Sequence, residues 1–511
     1  MINFKILIPT LILIVACLVG VILNIETVQA VVDGLYEALS MDFRWLFVGV
    51  DLACLIFTAW CIFGKYSNVR LGGQDAKPRY RTFTWAAIMF TTSCSAGLIL
   101  FGFIEPLYYI SNPPFEIAPY SDTSYEVAEM YTHYHWGLSA WSLYVPASIA
   151  IGYMLYNMHR KRVTVSQACA PVLKSAGNGL LAKVIDVFST FGVVVAPVTS
   201  MGLGLPLVIL LFQELFNISS EYTQQLQIVI LGLWVLLFGA SVFLGLDKGI
   251  KNLSNINVVV AFFFVAIVAF LVGLPQMFNS ELNTLGMYFQ NYLHMATYTD
   301  PFGDGEFVST WTVWYWAWLT VYMPLMGVLT AKISKGRTVR EIAIGLAIIC
   351  SVGCFVVISP LGNYTIELQK SGVDIASVLL TEGQASAILE IIKTMPAPEL
   401  AMAVLALLCF IFMATTVDSS SLVAAEMTTL HDASKEPAPR SMRLLWAFIA
   451  CVITFVLLQV GGFSAVQTLA LLTGLPLAVI QILLIISGGK MLKVQSGKIA
   501  KIGVRKFFSR E

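Results

Sequence analysis

The chain has 511 residues, of which 58% are hydrophobic and only 12% are charged, and its mean hydropathy is +0.81. Soluble globular proteins carry about 25% charged residues. The composition therefore excludes a soluble globular protein, and it offers no basic surface for nucleic acid. Thirty basic and thirty acidic residues give a net charge of zero, which conceals a strong segregation of charge between loops.

Apolar stretches of about 20 residues, the length that crosses a bilayer as a helix, recur along the whole chain. They predict an all-α polytopic membrane protein with twelve transmembrane helices. The twelve spans are 5–25, 43–64, 83–110, 133–157, 180–213, 225–246, 253–275, 309–333, 341–362, 397–424, 442–462 and 465–488.

Lysine and arginine are concentrated in alternate loops. The basic segments are 65–81, 158–183, 247–251, 332–340, 431–443 and 489–511. The mainly acidic or neutral segments are 26–42, 111–132, 276–308 and 363–396. The positive-inside rule then predicts that both termini are cytoplasmic, and an even number of spans agrees.

Clusters of hydroxyl residues and glycines interrupt three of the spans, at 91–97, 197–204 and 415–421. Free backbone groups at membrane depth are tolerated only where protein or a water-filled cavity satisfies them. Secondary transporters build ion and substrate sites at such broken helices, so we expect breaks at 91–97 and 415–421, with close packing of helices through small residues as the alternative. For 197–204 close packing is the preferred interpretation and a break is the alternative.

Four carboxylates fall within predicted spans: Asp51, Glu105, Asp186 and Asp418. Charged groups in a membrane are costly and are functional hypotheses by default. For Asp186 we expect a structural ion pair with Lys183, and for Glu105 a role in joining helices. Asp418 is expected to orient neighbouring hydroxyls, whereas the sequence suggests no role for Asp51.

The segment 309–340 is unusually aromatic. It contains Trp311, Trp314, Tyr315, Trp316, Trp318 and Tyr322. Aromatic residues normally mark membrane interfaces, but Trp318 and Tyr322 lie deeper and one helical turn apart on the same face. A ring face in a dry place is how a protein holds a quaternary ammonium, so this segment predicts a binding site.

In the loop after the seventh span, residues 279–297 have a helical repeat. One face would carry Leu282, Leu285, Phe289, Tyr292, Leu293 and Ala296. This pattern predicts an amphipathic helix on the outer surface, with surface packing and no role in chemistry as the alternative.

Catalytic and metal-binding patterns are not found in the spans. His133 and His135 are two residues apart, so on a helix their side chains do not face each other. No HExxH, GxSxG or CxxC pattern occurs within a span. We therefore expect neither an enzyme nor a bound cofactor.

Four motifs carry a resemblance to a known family: 102–107 (GFIEPL), 135–137 (HWG), 311–318 (WTVWYWAW) and 331–341 (AKISKGRTVRE). Over nearly its whole length the chain resembles the betaine/choline/carnitine transporters. The resemblance implies a homotrimer in the cytoplasmic (inner) membrane that binds a small quaternary amine or betaine and no nucleic acid. It also implies two extra N-terminal helices followed by a LeuT-like five-plus-five inverted repeat. The corresponding regions are 1–82, 83–275 (first repeat), 276–308 (external amphipathic helix), 309–488 (second repeat) and 489–511 (basic tail).

The same resemblance implies the positions of a substrate site. The family's aromatic box would fall on Tyr108, Trp136, Trp141, Tyr144, Trp318 and Tyr322, with Met326 beside it. Where many betaine and choline carriers have a glycine-rich motif, this chain has residues 93–97, which bring Cys94 and Ser95 near the substrate. Leu319 replaces a second tryptophan that is common in the family. Both departures point away from plain glycine betaine.

The resemblance also implies how transport is driven. One sodium site of sodium-coupled relatives maps to the carbonyls of Thr91, Cys94 and Phe412 and the hydroxyls of Thr415 and Thr416. These are the oxygen ligands that hard cations prefer. Val193 and Pro197 remove the hydroxyls of a second site. Asn257 stands where sodium-independent antiporters have an arginine.

The expected activity is therefore secondary transport of betaine, choline, carnitine or an analogue, coupled to about one sodium ion. A sodium-independent substrate/product antiporter of the carnitine/γ-butyrobetaine type is the first alternative. A non-transporting membrane receptor or channel is the second.

Overall fold

The structure is a computed structural model that describes residues 1–23, 34, 36–93, 96–173, 179–244, 249–433, 436–460 and 462–495. Two predicted site residues, Cys94 and Ser95, lie outside these residues, as does the tail beyond residue 495. Throughout the described ranges the chain is built from helices, with two isolated backbone bridges and no strand.

The helices are numbered in chain order. They are α1 (Phe4–Leu23), α2 (Arg44–Phe63), α3 (Thr82–Ser93), α4 (Ala96–Ser111), α5 (Asp122–Trp136), α6 (Leu138–Ser142), α7 (Val145–Tyr156), α8 (Val165–Ala168), α9 (Ala170–Leu173), α10 (Leu180–Phe216), α11 (Thr223–Leu244), α12 (Gly249–Val272), α13 (Leu274–Thr297), α14 (Trp314–Ile333), α15 (Val339–Ile344), α16 (Ser351–Lys370), α17 (Ile375–Glu382), α18 (Gln384–Lys393), α19 (Pro398–Met427), α20 (Arg440–Val460) and α21 (Gly462–Gln495). Short π-helical stretches, Val308–Val313 and Gly345–Cys350, lead into α14 and α16.

Within the described residues, nine helical segments are long and apolar enough to cross a membrane, or ten if one bent pair counts as a single span. The all-helical membrane class is therefore confirmed, whereas twelve crossings stay a prediction. Of the two remaining predicted spans, 5–25 contains an apolar helix that includes Phe4–Val19. The other, 309–333, is helical in α14, but its indole and phenol groups make it less apolar than an aliphatic span.

The third span is broken as predicted, because α3 and α4 meet at an angle of 64°. The predicted break in the tenth span was wrong, since α19 runs without interruption through 415–421. In the fifth span α10 is continuous through 197–204, in agreement with the packing interpretation. A Cβ on Gly204 would lie 2.7 Å from the Met413 sulfur and 3.2 Å from Ala96 Cβ, so small residues there serve close packing. The hydroxyls of α19 donate to carbonyls of their own helix.

The fourth span contains two breaks that the sequence did not predict. Gly137 separates α5 from α6, and the backbone is interrupted again between α6 and α7. The free N–H of Leu138 donates to the Tyr288 hydroxyl at 3.2 Å. The free carbonyl of Leu143 accepts from Gln481 Nε2 at 2.5 Å. Side chains of α13 and α21 thus satisfy the backbone groups that the breaks release, as a membrane interior requires.

The predicted helix at 279–297 is present as part of α13, and much of its apolar stripe is exposed. Leu282, Phe289 and Leu293 are 71%, 66% and 71% exposed, whereas Tyr288 is fully buried. The side that packs on the protein is bound by polar contacts to α5, in which Glu129 Oε2 accepts from Thr284 Oγ1 at 2.8 Å. Periodicity located the apolar stripe but could not tell that polar groups hold the opposite side against the core.

The basic loop 334–340 pairs with the loop that precedes α3. Gly336 N donates to Leu71 O at 2.9 Å, and Leu71 N donates to Arg337 O at 3.0 Å. Gly336 has a φ of +82°, and a Cβ there would lie 2.3 Å from the carbonyl carbon of Lys77, so only glycine fits. The signature motif is therefore a structural clasp between two loops of the same end of the molecule.

Arg337 is the central side chain of this clasp. Its guanidinium donates to Tyr80 O at 3.0 Å and to Glu341 Oε1 at 3.1 Å, and it lies 4.8 Å from the Trp85 ring centre. Glu341 also closes a capping box with Thr338 at the start of α15. One buried cation thus joins three segments of the chain.

We expect Arg337→Ala to lower the apparent midpoint of thermal unfolding, because charged hydrogen bonds contribute about 1.5–3 kcal/mol each. Unfolding in detergent, followed by intrinsic fluorescence, measures this change. Lys335→Ala, which removes an exposed cation two residues away, is the matched control. An equal effect of the two substitutions would contradict the role of Arg337 as a clasp.

Candidate functional site

Three of the predicted box residues form one aromatic corner, which we call the cage: Trp136, Trp318 and Tyr322. The ring centres of Trp136 and Trp318 are 6.1 Å apart with planes at 88°. The rings of Trp318 and Tyr322 are 6.2 Å apart with planes at 82°. All three side chains are buried. The plane of each ring therefore stands roughly at right angles to the plane of the next.

The orientation of Trp318 is fixed from two directions. Its indole N–H donates to Thr199 Oγ1 at 2.8 Å, and one ring face stacks on Trp314 at 5.2 Å with planes at 11°. The Tyr322 hydroxyl is hydrogen-bonded to Ser200 on the same helix, α10. The hydroxyl residues that suggested a break in α10 thus anchor the cage.

Glu105 fixes the position of the third cage ring, Trp136, and joins three helices. Glu105 Oε2 accepts from Trp136 Nε1 at 2.8 Å and from the Tyr315 hydroxyl at 2.5 Å. Glu105 Oε1 accepts from the Tyr109 hydroxyl at 2.7 Å and lies 3.3 Å from His135 Nδ1. The expectation that Glu105 joins helices is met, but its specific partner, the Trp136 indole, could not be read from the sequence.

The other predicted box residues lie in two further groups. Trp141 and Tyr144 form an edge-to-face pair with centres 5.7 Å apart, and Ser93 Oγ donates to the Tyr144 hydroxyl at 2.9 Å. This pair therefore adjoins the break in the third span. Tyr108 instead contacts Trp311, with ring centres 4.7 Å apart. Its ring makes no contact with the cage rings among the described residues, so a six-membered box is not assembled.

Met326 is buried one turn after Tyr322 on α14. This spacing places the thioether on the same helix face as the cage tyrosine. Sulfur contacts with aromatic rings and apolar groups are weak but adaptable.

The described part of the predicted sodium site consists of neutral oxygens. Thr415 Oγ1 and Thr416 Oγ1 donate to the Phe412 carbonyl at 2.8 Å and 3.1 Å. Thr91 is buried on α3 and donates to Ala87 O at 2.9 Å, and α3 packs against α19. The hydroxyl oxygens of these residues keep lone pairs, and oxygen is the ligand type that hard cations prefer.

The positions that distinguish transport modes are also buried. Val193 and Pro197 are apolar positions inside α10 and offer no side-chain oxygen. Asn257 is fully buried on α12, and its amide oxygen and nitrogen have no hydrogen-bond partner among the described residues. An unsatisfied buried amide is costly, and it marks a place where a polar ligand would be stabilised.

Two of the intramembrane carboxylates are structural. Asp186 was expected to pair with Lys183, and this was wrong, because its oxygens accept from Ser166 N at 2.8 Å and from Ser166 Oγ at 2.7 Å. Asp418 forms a buried ion pair with Arg443, with Nη2 and Oδ1 2.9 Å apart. The partner comes from α20, the next helix, 25 residues further along the chain.

We expect Glu105→Gln to disorder the cage. Glutamine has a single acceptor oxygen and places an amide donor against the Trp136 and Tyr315 donors, so about 1.5–3 kcal/mol is lost for each charged hydrogen bond that breaks. A shifted tryptophan emission and a lower apparent unfolding midpoint report this loss. Glu129→Gln is the control, because Glu129 is another buried carboxylate of the same region that bonds only to α13 hydroxyls. Unchanged emission in Glu105→Gln would contradict the positioning role.

Two comparisons with known proteins bear on the chain as a whole. A solved structure described as the substrate-bound, outward-open state of a Na+-coupled sialic acid symporter is similar, with 12% sequence identity and a TM-score of 0.48. The alignment covers 88% of this chain and 86% of that one. The sequence pattern of the BCCT family, the betaine/carnitine/choline family of transporters, matches residues 5–497. The chain is therefore a multi-pass membrane protein that belongs to the betaine/carnitine/choline transporter family.

Proposed function

We propose that the chain is a secondary active transporter of a quaternary-ammonium or betaine-type compound, coupled to one sodium ion. The observation that carries this proposal is the cage, in which the Trp136 and Trp318 rings stand at 88° and 6.1 Å from each other. A methylated cation cannot accept or donate conventional hydrogen bonds, so it is bound by ring faces, each contributing about 0.5–2 kcal/mol. Three faces give modest binding that still permits release.

Electrostatics supports a cationic substrate group. Glu105 lies directly behind Trp136, with its carboxylate on the indole nitrogen at 2.8 Å. A negative charge in a low-dielectric setting strengthens the attraction of a cation toward the cage. The substrates that fit are betaine, choline, carnitine or an analogue, including a sulfonium compound.

The proposed coupling of transport to sodium is supported by the neutral oxygen atoms on α19 and α3. Thr415 and Thr416 share the Phe412 carbonyl, and Thr91 lies on the neighbouring helix at the break of the third span. A sodium ion between these helices would draw the two sides of the break together. The apolar Val193 and Pro197 argue against a second ion on α10.

A sodium-independent substrate/product antiporter is the second candidate. Asn257 argues against it, because a neutral amide cannot replace the positive charge of the coupling ion. A non-transporting receptor or channel is a third possibility, which saturable accumulation against a gradient would exclude.

We also propose a homotrimer in the cytoplasmic (inner) membrane with both termini cytoplasmic. The exposed apolar side chains of α13, Leu282, Phe289 and Leu293, offer a surface for a second copy. Asn3 N donates to Thr428 O at 2.8 Å, so the N-terminus and the loop after α19 lie at the same end.

We expect Trp318→Leu to weaken binding of the methylated ligand by about 5- to 30-fold, which corresponds to about 1–2 kcal/mol. A fluorescence titration of purified protein with choline, glycine betaine and carnitine measures this change. Trp234→Leu is the matched control, because Trp234 is buried on α11 and donates to Phe410 O, away from the cage. Equal affinity in wild type and Trp318→Leu would refute the cage as the binding site.

We expect a sodium gradient to accelerate uptake into proteoliposomes, and Thr415→Ala together with Thr416→Ala to remove that acceleration. Ser421→Ala is the control, because its hydroxyl also donates to its own helix but is not in the proposed site. Equal uptake with and without sodium, in choline-free potassium buffer, would reject coupling. Counterflow that requires internal substrate and ignores sodium would select the antiporter.

A further inference from the structure

A buried polar cluster that none of the preceding roles uses lies behind the fourth span. Asp51 is on α2, has no exposed surface, and neither of its carboxyl oxygens has a hydrogen-bond partner among the described residues. The Ser139 hydroxyl on α6 faces the carboxyl without completing a hydrogen bond. In the same part of the structure, the Tyr134 and Ser142 hydroxyls also have no partner among the described residues.

This cluster supports the Gly137 break. Ser139 Oγ and the Tyr292 hydroxyl are 2.9 Å apart, and Leu138 N donates to the Tyr288 hydroxyl. A Cβ on Gly137 would lie 2.7 Å from that same hydroxyl. Asp51 therefore lies where α2, α6 and the tyrosines of α13 meet. They meet around the Gly137 break, which directly follows the cage residue Trp136.

Within the part of the chain that the structure describes, no cation balances the carboxyl of Asp51. The titratable groups that face it are Cys54 on its own helix, Tyr134 on α5, and Tyr288 and Tyr292 on α13. These thiol and phenol groups carry no positive charge in any protonation state, and α21 contributes only the neutral Gln481 to this region. Among the described residues no lysine, arginine or histidine forms an ion pair with Asp51. A buried carboxylate without a counter-ion is strongly destabilising, whereas a neutral carboxylic acid is tolerated.

We propose that Asp51 is a proton-binding site and that its protonation stabilises the described position of the Gly137 break, and with it the cage. The site takes up one proton from water to form the neutral acid and returns that proton when the break moves. The paired hydroxyls of Ser139 and Tyr292 lead from the carboxyl toward α13, whose opposite side is exposed, so they offer a path for exchange. Proton binding here would regulate substrate binding, and to that extent the inference rests on the proposed function.

Infrared difference spectroscopy on ligand-free protein tests the site itself. We expect a carboxylic-acid carbonyl band in wild type that is absent from Asp51→Asn and retained in Asp122→Asn, whose exposed carboxylate is the control. Tyr292→Phe leaves the Asp51 carboxylic acid in place and should shift its carbonyl band. The assignment of the band to Asp51 therefore does not depend on whether Asp51→Asn folds. A difference spectrum with only ionised carboxylate bands at acid pH, or a band that Tyr292→Phe leaves unchanged, would overturn the proposal.

Fluorescence titration with glycine betaine and with carnitine tests the coupling. Since the neutral acid favours the assembled cage, wild-type binding should be at least about fivefold tighter at about pH 6 than at about pH 8.5. Asp51→Asn mimics the neutral acid and should bind equally tightly at both values. Two results in Asp51→Asn would overturn a proton site. One is binding that still depends on pH, and the other is binding that loses its dependence on sodium instead of its dependence on pH. If neither ligand binds wild type, glycine betaine and carnitine fail as substrates, whereas the infrared result still decides the role of Asp51.

Discussion

The carboxylate of Glu105 is the interaction on which the candidate site depends. It accepts from Trp136, Tyr315 and Tyr109, so one buried charge connects α4, α5 and α14. Such a charge is stable only because several donors replace its hydration. The arrangement is cooperative, because removing any one donor leaves the carboxylate lone pair that it engaged without a hydrogen bond in an apolar interior. Cage geometry and helix packing are therefore not separable in this protein.

The breaks in the fourth span follow the same physical rule. A backbone group released inside a membrane protein must find a partner, and here Tyr288 and Gln481 supply one each. Both partners come from helices that are distant in sequence. A shift of α13 or α21 would therefore change the hydrogen bonding of the very segment that carries Trp136, which gives these helices a means to act on the cage.

The loop clasp around Arg337 illustrates the opposite design. Its backbone pairing, capping box and buried guanidinium leave few degrees of freedom. A rigid end of the molecule and a polar, break-containing middle are what a moving transporter requires, because hinge segments are recruited from the regions held by exchangeable hydrogen bonds.

The sequence alone determined the helical membrane class and the break at 91–97, and it singled out Trp318 and Tyr322 as candidates, because apolar length and aromatic spacing are local properties. It also indicated Glu105 and Asp51 as residues of interest, since a carboxylate within an apolar span is energetically costly. The tertiary structure alone decided that 197–204 and 415–421 stay helical, that α13 turns Tyr288 inward, and that Tyr108 pairs with Trp311 rather than with the cage. Those outcomes depend on contacts between residues up to several hundred positions apart, and local periodicity carries no information about such contacts.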